Sequence, residues 1–225
     1  MDNDILSLWS PWLRTANSPW EQVLHFAVKK HYSKNDIILG NRQLINELYY
    51  LHVGEIKMIH LNSEGEEKPV WYIGSGNIFG ETPFLLGGEC NTIFTCVRDS
   101  IVYTFNRQLV MEKILPLNPD IMIDMLNGMA SKIQTLTRQI YDLSLTSPKM
   151  RLYRLLYSIS TTRVNNAIKI SQQDLADLLG IHRVTLNKIL VALKHSGIIE
   201  HDFNRKRITV GNPAGLLKLM EKEQS

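Results

Sequence analysis

Cysteine is almost missing from this chain: Cys90 and Cys96 are the only two in 225 residues. Two thiols cannot build a multi-bridge framework or supply the four thiolates of an iron–sulfur cluster, so both are expected as unpaired, reduced thiols. Long apolar runs are missing too. None approaches the roughly 18 to 20 residues a membrane span needs, and the opening "MDNDILSLWSPW" carries acids where a secretion signal carries bases. A cytoplasmic protein with no membrane partner is the expectation. The chain also has no Gly-x-Ser-x-Gly, no His-Glu-x-x-His and no phosphate loop ending in Gly-Lys-Ser/Thr, and "GSGNIFG" misses the dinucleotide spacing by one residue. Catalysis is therefore not expected, and no catalytic residue, metal ligand or cofactor is assigned.

What is present is an ordinary globular composition, 44% apolar and 21% charged, in a length that favours two packed domains over one. The net charge of +3 is unevenly spread. From Pro148 onward there are 13 Lys and Arg against 6 Asp and Glu, a net +7, whereas residues 1–147 hold 12 against 16, a net −4. Asymmetry of this kind is the footprint of a polyanion partner, and nucleic acid leads the candidates.

Patterning divides the chain in the same way. After a short helical start around Pro19 to Ala27, residues 30–106 carry short alternating or apolar runs: "DIILG", "ELYYLHV", "EIKMIHL", "PVWYIG", "NTIFTCV" and "SIVYTF". Glycine-rich turns separate them, which suggests an antiparallel sandwich or barrel. At Asn118 the period changes. Asn118 is the expected N-cap, Pro119 suits the first helical position, and Asp120 and Asp124 favour the positive end of the helix dipole. Met122, Leu126, Met129, Ile133, Leu136, Ile140 and Leu143 then follow spacings of 4, 3, 4, 3, 4, 3. A helix lying on a barrel would show the same stripe, but a strict 3.5-residue seam over three heptads is better buried against a second copy, so a homodimer is expected. Ser147 and Pro148 repeat the cap signature, and "SLTSP" is a candidate hinge.

The segment "ISQQDLADLLGIHRVTLNKILVALKHSGII" holds the sharpest local signal. Ser171 can cap a helix, with Asp174 three residues on. Counting Gln172 as position one, apolar residues fall at 4, 8, 10, 15 and 18, Ala176 at 5 and Gly180 at 9, the helix-turn-helix pattern. His182, Arg183, Val184, Thr185, Asn187 and Lys188 are left for the exposed face of the second helix. A guanidinium can pair with guanine, an ammonium with the same edge or a phosphate, and a valine or threonine methyl with the thymine methyl. Ser171 and Gln172, at the start of the first helix, join this DNA-binding set. Beyond it, "GIIEHDFNRKRITVG" reads as a hairpin wing whose Arg205, Lys206 and Arg207 would contact phosphates.

The strand-rich first half with "GEIKMIHLNSEGEEKPVWYIGSGNIFGE", the long helix and "ISQQDLADLLGIHRVTLNKIL", in this order, resemble the CRP/FNR superfamily of bacterial transcription regulators over essentially the whole chain. The resemblance implies an α+β fold: a jelly-roll, cyclic-nucleotide-binding-like β-barrel over residues 1–117, a dimerisation helix and hinge over 118–146, and a winged helix-turn-helix over 147–225. It implies a homodimer on a pseudo-palindromic operator, with base-reading positions at Arg183, Val184, Asn187 and Lys188, and RNA polymerase as a further partner. Family members that read G-rich half-sites commonly carry glutamate where this chain has Val184, so a T/A-leaning step is expected there.

The phosphate cassette of cyclic-nucleotide-binding members runs from a Gly-Glu pair to an Arg-Ser. Here Gly80 and Glu81 remain, but Cys90, Asn91 and Thr92 stand at the far end, and the cation for a cyclic phosphate is missing. Cyclic AMP is therefore not the expected effector, and among His25, His31, His52 and His60 nothing singles out a heme ligand. Trp71 and Tyr72 on a strand, with Met129 and Lys132 on the long helix, are similar to the branch that senses halogenated aromatic acids and suit a small aromatic or organic acid, although Glu81 adds a negative charge to the same site. The alternative reading is a ligand-binding or protein-docking module whose helix-turn-helix does not touch DNA.

Overall fold

The computed structural model describes residues 10, 12–13, 18–61, 64–162 and 166–224. Its contacts separate the chain into two units that divide between Ile133 and Gln134, inside the long helix. Among the described residues, no helix is long and apolar enough to cross a membrane.

In the first unit the alternating runs become strands: β1 Trp12–Leu13, β2 Val28–Tyr32, β3 Ile37–Leu39, β4 Gln43–Leu44, β5 Glu47–Val53, β6 Glu55–Leu61, β7 Glu67–Gly74, β8 Asn77–Phe79, β9 Glu89–Cys90, β10 Ile93–Cys96 and β11 Ser100–Asn106. They assemble into a five-stranded sheet, β1-β7-β6-β10-β3, and a four-stranded sheet, β2-β11-β5-β8, with β4 and β9 as a separate pair. Pairing is antiparallel except where β1 runs parallel to β7. Neither sheet closes on itself, so jelly-roll describes this half only loosely. In β5, Leu48, Tyr49, Tyr50 and Leu51 are all buried, which removes the in–out alternation expected of a half-exposed strand. Phe79 links the core aromatics, with its ring centroid 5.3 Å from Tyr49 and 5.2 Å from Phe94. Cys90 and Cys96 are buried free thiols.

Three short helical stretches complete this half: a 3-10 helix at Pro19–Phe26, where the sequence leads one to expect it, α1 Glu81–Leu86, and a run from α2 Arg107–Leu109 through a π-helical turn at Val110–Ile114 to α3 Leu115–Leu117. Helix α4, Pro119–Leu145, follows. It begins at Pro119 with Asn118 at the N-cap position as expected, the Asn118 carbonyl accepting from the Ile121 and Met122 amides at 3.0 and 3.4 Å. The Asn118 side chain also reaches back, its Nδ2 donating to the Ile114 carbonyl at 2.7 Å and closing the preceding helix. Within the first unit α4 buries Ile121 and Met125 in the sandwich core, each worth about 1.5–3 kcal/mol.

The second unit continues with α5 Pro148–Thr162, β12 Ala167–Lys169, α6 Gln172–Leu179, α7 Arg183–His195, β13 Ile199–Asp202, β14 Arg207–Val210 and α8 Pro213–Gln224. The hairpin read from the sequence is present, and β12 adds a third strand to give the order β12-β14-β13. Its core is largely aliphatic: Leu152, Leu156, Leu175, Leu186, Leu190 and Leu216 are fully buried, and α5 packs against α8 as well as against the α6–α7 pair.

Candidate functional site

Two chemically distinct clusters stand out, one in each unit. In the first unit, Lys132 of α4 is buried and its Nζ donates to Glu81 Oε1 at 2.7 Å and to the Ile78 carbonyl at 3.2 Å. Both side chains of this ion pair are 9% exposed. The same Nζ lies 5.9 Å from the centroid of the Trp71 ring, and the buried Trp71 Nε1 has no hydrogen-bond partner. Glu81 is delivered by the turn before α1, where Gly80 adopts φ 74° and packs against Tyr49 and Leu39. A side chain there would meet Tyr49 at 3.1 Å in a backbone conformation that β-carbons resist.

Not every residue expected in this cluster reaches it. Tyr72 is buried, but strand alternation places it on the face of β7 opposite Trp71 and Ile73. Asn91 is exposed, Thr92 offers its carbonyl and hydroxyl to the Cys90 thiol at 3.2 and 3.3 Å, and Met129 is partly buried against the sandwich core. Arg107, which the sequence did not single out, donates from Nε to the Phe84 carbonyl at 3.0 Å and so ties down the end of α1.

In the second unit, local sequence chemistry determines the α6–α7 geometry. Ser171 Oγ accepts from the Asp174 amide at 3.0 Å and caps α6. Gly180 closes it at φ 60°, ψ 43°, and the Ile181 amide returns to the Ala176 carbonyl at 3.0 Å. Leu186, Ile189 and Leu190 bury the inner side of α7. The outer side presents Arg183, Val184, Asn187 and Lys188, all exposed, with His182 at the N-cap and Thr185 half-buried. Gln172 Nε2 contacts Asn187 Oδ1 at 3.4 Å, so the start of α6 joins the same surface. At the wing tip Lys206 adopts φ 52°, and Arg205 is 3.7 Å from Asp202. Lys169 on β12 lies in register with Arg207 on β14, an additional exposed basic pair.

The apolar stripe of α4 faces away from what the helix buries. Met122, Leu126, Ile133, Leu136, Ile140 and Leu143 are exposed, while Ile121, Met125, Lys132, Thr135 and Asp142 are buried on another side. The link to α5 is tied rather than loose. Thr146 donates twice to the Asp142 carbonyl, from its amide at 3.1 Å and its hydroxyl at 2.8 Å, and Ser147 Oγ accepts from the Met150 amide at 3.2 Å. Asp142 Oδ1 also accepts from Arg154 Nη1 at 2.7 Å, an ion pair no sequence spacing announced.

Two family models match these two halves: the cyclic nucleotide-binding domain over residues 29–115 and the Crp-like helix-turn-helix domain over residues 150–219. The chain belongs to the CRP/FNR superfamily. Among curated CRP/FNR relatives, the cAMP-activated global transcriptional regulator CRP of Pasteurella multocida is 25% identical over 186 residues, spanning 78% of this chain and 86% of that protein. The global nitrogen regulator of Synechococcus elongatus is 28% identical over 177 residues, spanning 75% and 79%. Among solved structures, a CooA mutant from Carboxydothermus hydrogenoformans superposes with a TM-score of 0.77 at 17% identity, covering 94% of this chain and 99% of that one. CprK complexed with OCPA gives 0.73 at 19%, covering 91% and 96%. At such identities the structures speak for the fold. The superfamily is one of transcription regulators, and in this CRP/FNR member an effector-binding type of domain precedes the helix-turn-helix.

Proposed function

We propose that this chain is a homodimeric, sequence-specific DNA-binding transcription regulator controlled by a small organic acid held in its first unit. The observation that carries the DNA-binding reading is the row Arg183, Val184, Asn187 and Lys188, exposed together on α7 in the basic half of the chain. These side chains supply bidentate, ammonium and methyl contacts for base edges, while Ser171, Gln172, Lys206 and Arg205 flank them for phosphates. The exposed α4 stripe supports the dimer. Two such units read a pseudo-palindrome with half-sites one helical turn apart, about 34 to 36 Å. RNA polymerase is the protein partner this role requires, and the cytoplasm the compartment.

Lys132 and Trp71 support the effector reading. An anion that takes the Lys132 ammonium, lays an aromatic ring near Trp71 and accepts from its Nε1 gives a partner to the buried donor this cluster leaves over, and Glu81, displaced from the lysine, then turns towards solvent. CprK has been solved in complex with o-chlorophenolacetic acid, a ligand of this chemistry. A cyclic phosphate finds no arginine at the far end of the Gly80–Glu81 segment, where Cys90 is buried and Asn91 is neutral. Ligand acts by its different affinity for two dimer geometries, a population shift passed to α7 through the "SLTSP" link.

Selection of binding sites from a randomised duplex library tests this function. The expected result is a palindrome with a T/A-leaning step opposite Val184. Recovery of the cyclic-AMP regulator's usual site unchanged would remove Val184 from base reading. Failure to retain any duplex at low salt, with or without aromatic acids present, would overturn the regulator reading itself.

A further inference from the structure

We infer that Asp142 and Arg154 are positioning residues for DNA recognition: a buried ion pair that locks the helix-turn-helix onto the last turn of α4 and fixes where α7 stands. This rests on the DNA-binding reading above, and every residue it uses lies in the second unit.

The pair spans the link between α4 and α5. Asp142 lies one turn before the end of α4 and Arg154 in the second turn of α5, twelve residues apart across the Thr146–Ser147 link. Their side chains are 3% and 8% exposed. An exposed ion pair exchanges freely with water and holds nothing in place, but one this dry cannot part without leaving two charges poorly solvated. The junction is therefore a stiff element with one favoured geometry.

What the junction holds is the turn between α6 and α7. One residue beyond Asp142, Leu143 reaches Gly180 so closely that a β-carbon there would lie 2.6 Å from Leu143 Cδ2 and 3.5 Å from Arg151 Nη1. Arg151 precedes Arg154 by one turn of α5, and its buried Nε has no hydrogen-bond partner. Burial lowers the Arg151 pKa while the Asp142 charge opposes that shift. One carboxylate thus faces two guanidiniums, binds one directly and steadies the other beneath the helix-turn-helix turn. Fixing α5 on α4 at Asp142 consequently fixes Gly180, and with Gly180 the start of α7.

In a dimer this stiffness gives each dimer geometry a single half-site separation, and a soft junction would tolerate several. The test compares wild type, Asp142→Asn, the milder Arg154→Lys and the charge-reversed double variant Asp142→Arg/Arg154→Asp. Each is measured on the selected palindrome, the same duplex with one base pair inserted between half-sites, and a single half-site. Asp142→Asn should keep its half-site affinity, lose about tenfold or more on the palindrome as avidity falls, and show a smaller penalty for the inserted base pair. Arg154→Lys should fall between it and wild type and serves alone if Asp142→Asn does not fold. The reversed pair should restore the strict spacing. Equal losses on half-site and palindrome, or an unchanged spacing penalty, would overturn the inference. A second readout needs no DNA: nitroxide labels replacing the exposed Gln134 and Val191, in labelled chains diluted with unlabelled ones, should give one narrow distance in wild type and a broad one in Asp142→Asn. If wild type bound no duplex, the regulator reading would fail while this measurement still decided the lock; an equally narrow distance in Asp142→Asn would refute it.

Discussion

A lysine and a glutamate in one apolar site could be rivals or partners for a ligand, and 2.7 Å between Lys132 Nζ and Glu81 Oε1 makes them partners of each other. That pairing changes what a substitution at Lys132 does. From the sequence, Glu81 counts only as a repelling charge near an anion site, and Lys132→Ala should silence the effector response without touching the fold. In the structure, removing the lysine strands a buried carboxylate, and Lys132→Met should cost about 3–5 kcal/mol in urea denaturation. Lys132→Met/Glu81→Gln, which removes both charges together, should recover most of that stability. The double variant should also lose any thermal shift given by aromatic acids. If Lys132→Met alone were as stable as wild type, the ion pair would contribute nothing. If the double variant still responded to ligand, the ammonium would not be the anion's partner.

At the scale of elements, what could be read in advance was what is local. The α6–α7 pair depends on a cap at Ser171, a left-handed residue at Gly180 and apolar residues at helical spacing, and each lies within a few positions of the group it serves. The ion pairs that support both sites, Lys132 with Glu81 and Asp142 with Arg154, join positions 51 and 12 residues apart on different elements, and no spacing rule connects them. Strand β12 is not legible in the sequence for a related reason. Its three residues, Ala-Ile-Lys, carry too little alternation to register, and it exists because β14 offers an edge, with the Ile170 amide donating to the Lys206 carbonyl at 2.9 Å. This third strand places Lys169 beside Arg207 and gives the wing a broader basic face than the hairpin tip alone. If that face meets the DNA backbone, Arg207→Ala and Lys206→Ala should each lower the slope of log affinity against log salt by about 0.9, uniformly across sequences. Arg205→Ala should change it less, because Arg205 already lies 3.7 Å from the Asp202 carboxylate. Salt titrations by fluorescence anisotropy measure all three slopes. Unchanged slopes for Arg207→Ala and Lys206→Ala would take the wing off the backbone.

For the whole molecule the deciding question is what covers α4. One side of the helix is already used, with Ile121 and Met125 in the sandwich core and Lys132 on Glu81, while Met122, Leu126, Ile133, Leu136 and Ile140 of the seam point elsewhere and remain open, Ile133 at 63% and Ile140 at 65% exposure. A row this apolar, at 3.5-residue spacing over three heptads, matches a parallel partner helix far better than solvent. Two copies joined along it would hold two α7 helices, and binding of the first half-site would then raise the effective concentration of the second. Ile133→Glu/Ile140→Glu sets like charges against each other at the centre of that seam without disturbing the side that packs on the sandwich. The variant should sediment as a folded monomer and keep the wild-type affinity for a single half-site. On the full palindrome it should lose about 100-fold or more, because only the avidity term has been removed. A variant that still sedimented as a dimer would show that another surface joins the subunits. Wild-type affinity on the palindrome from a proven monomer would show that one chain reads the site alone, and the positioning role given to Asp142 and Arg154 would then have to act within a single half-site.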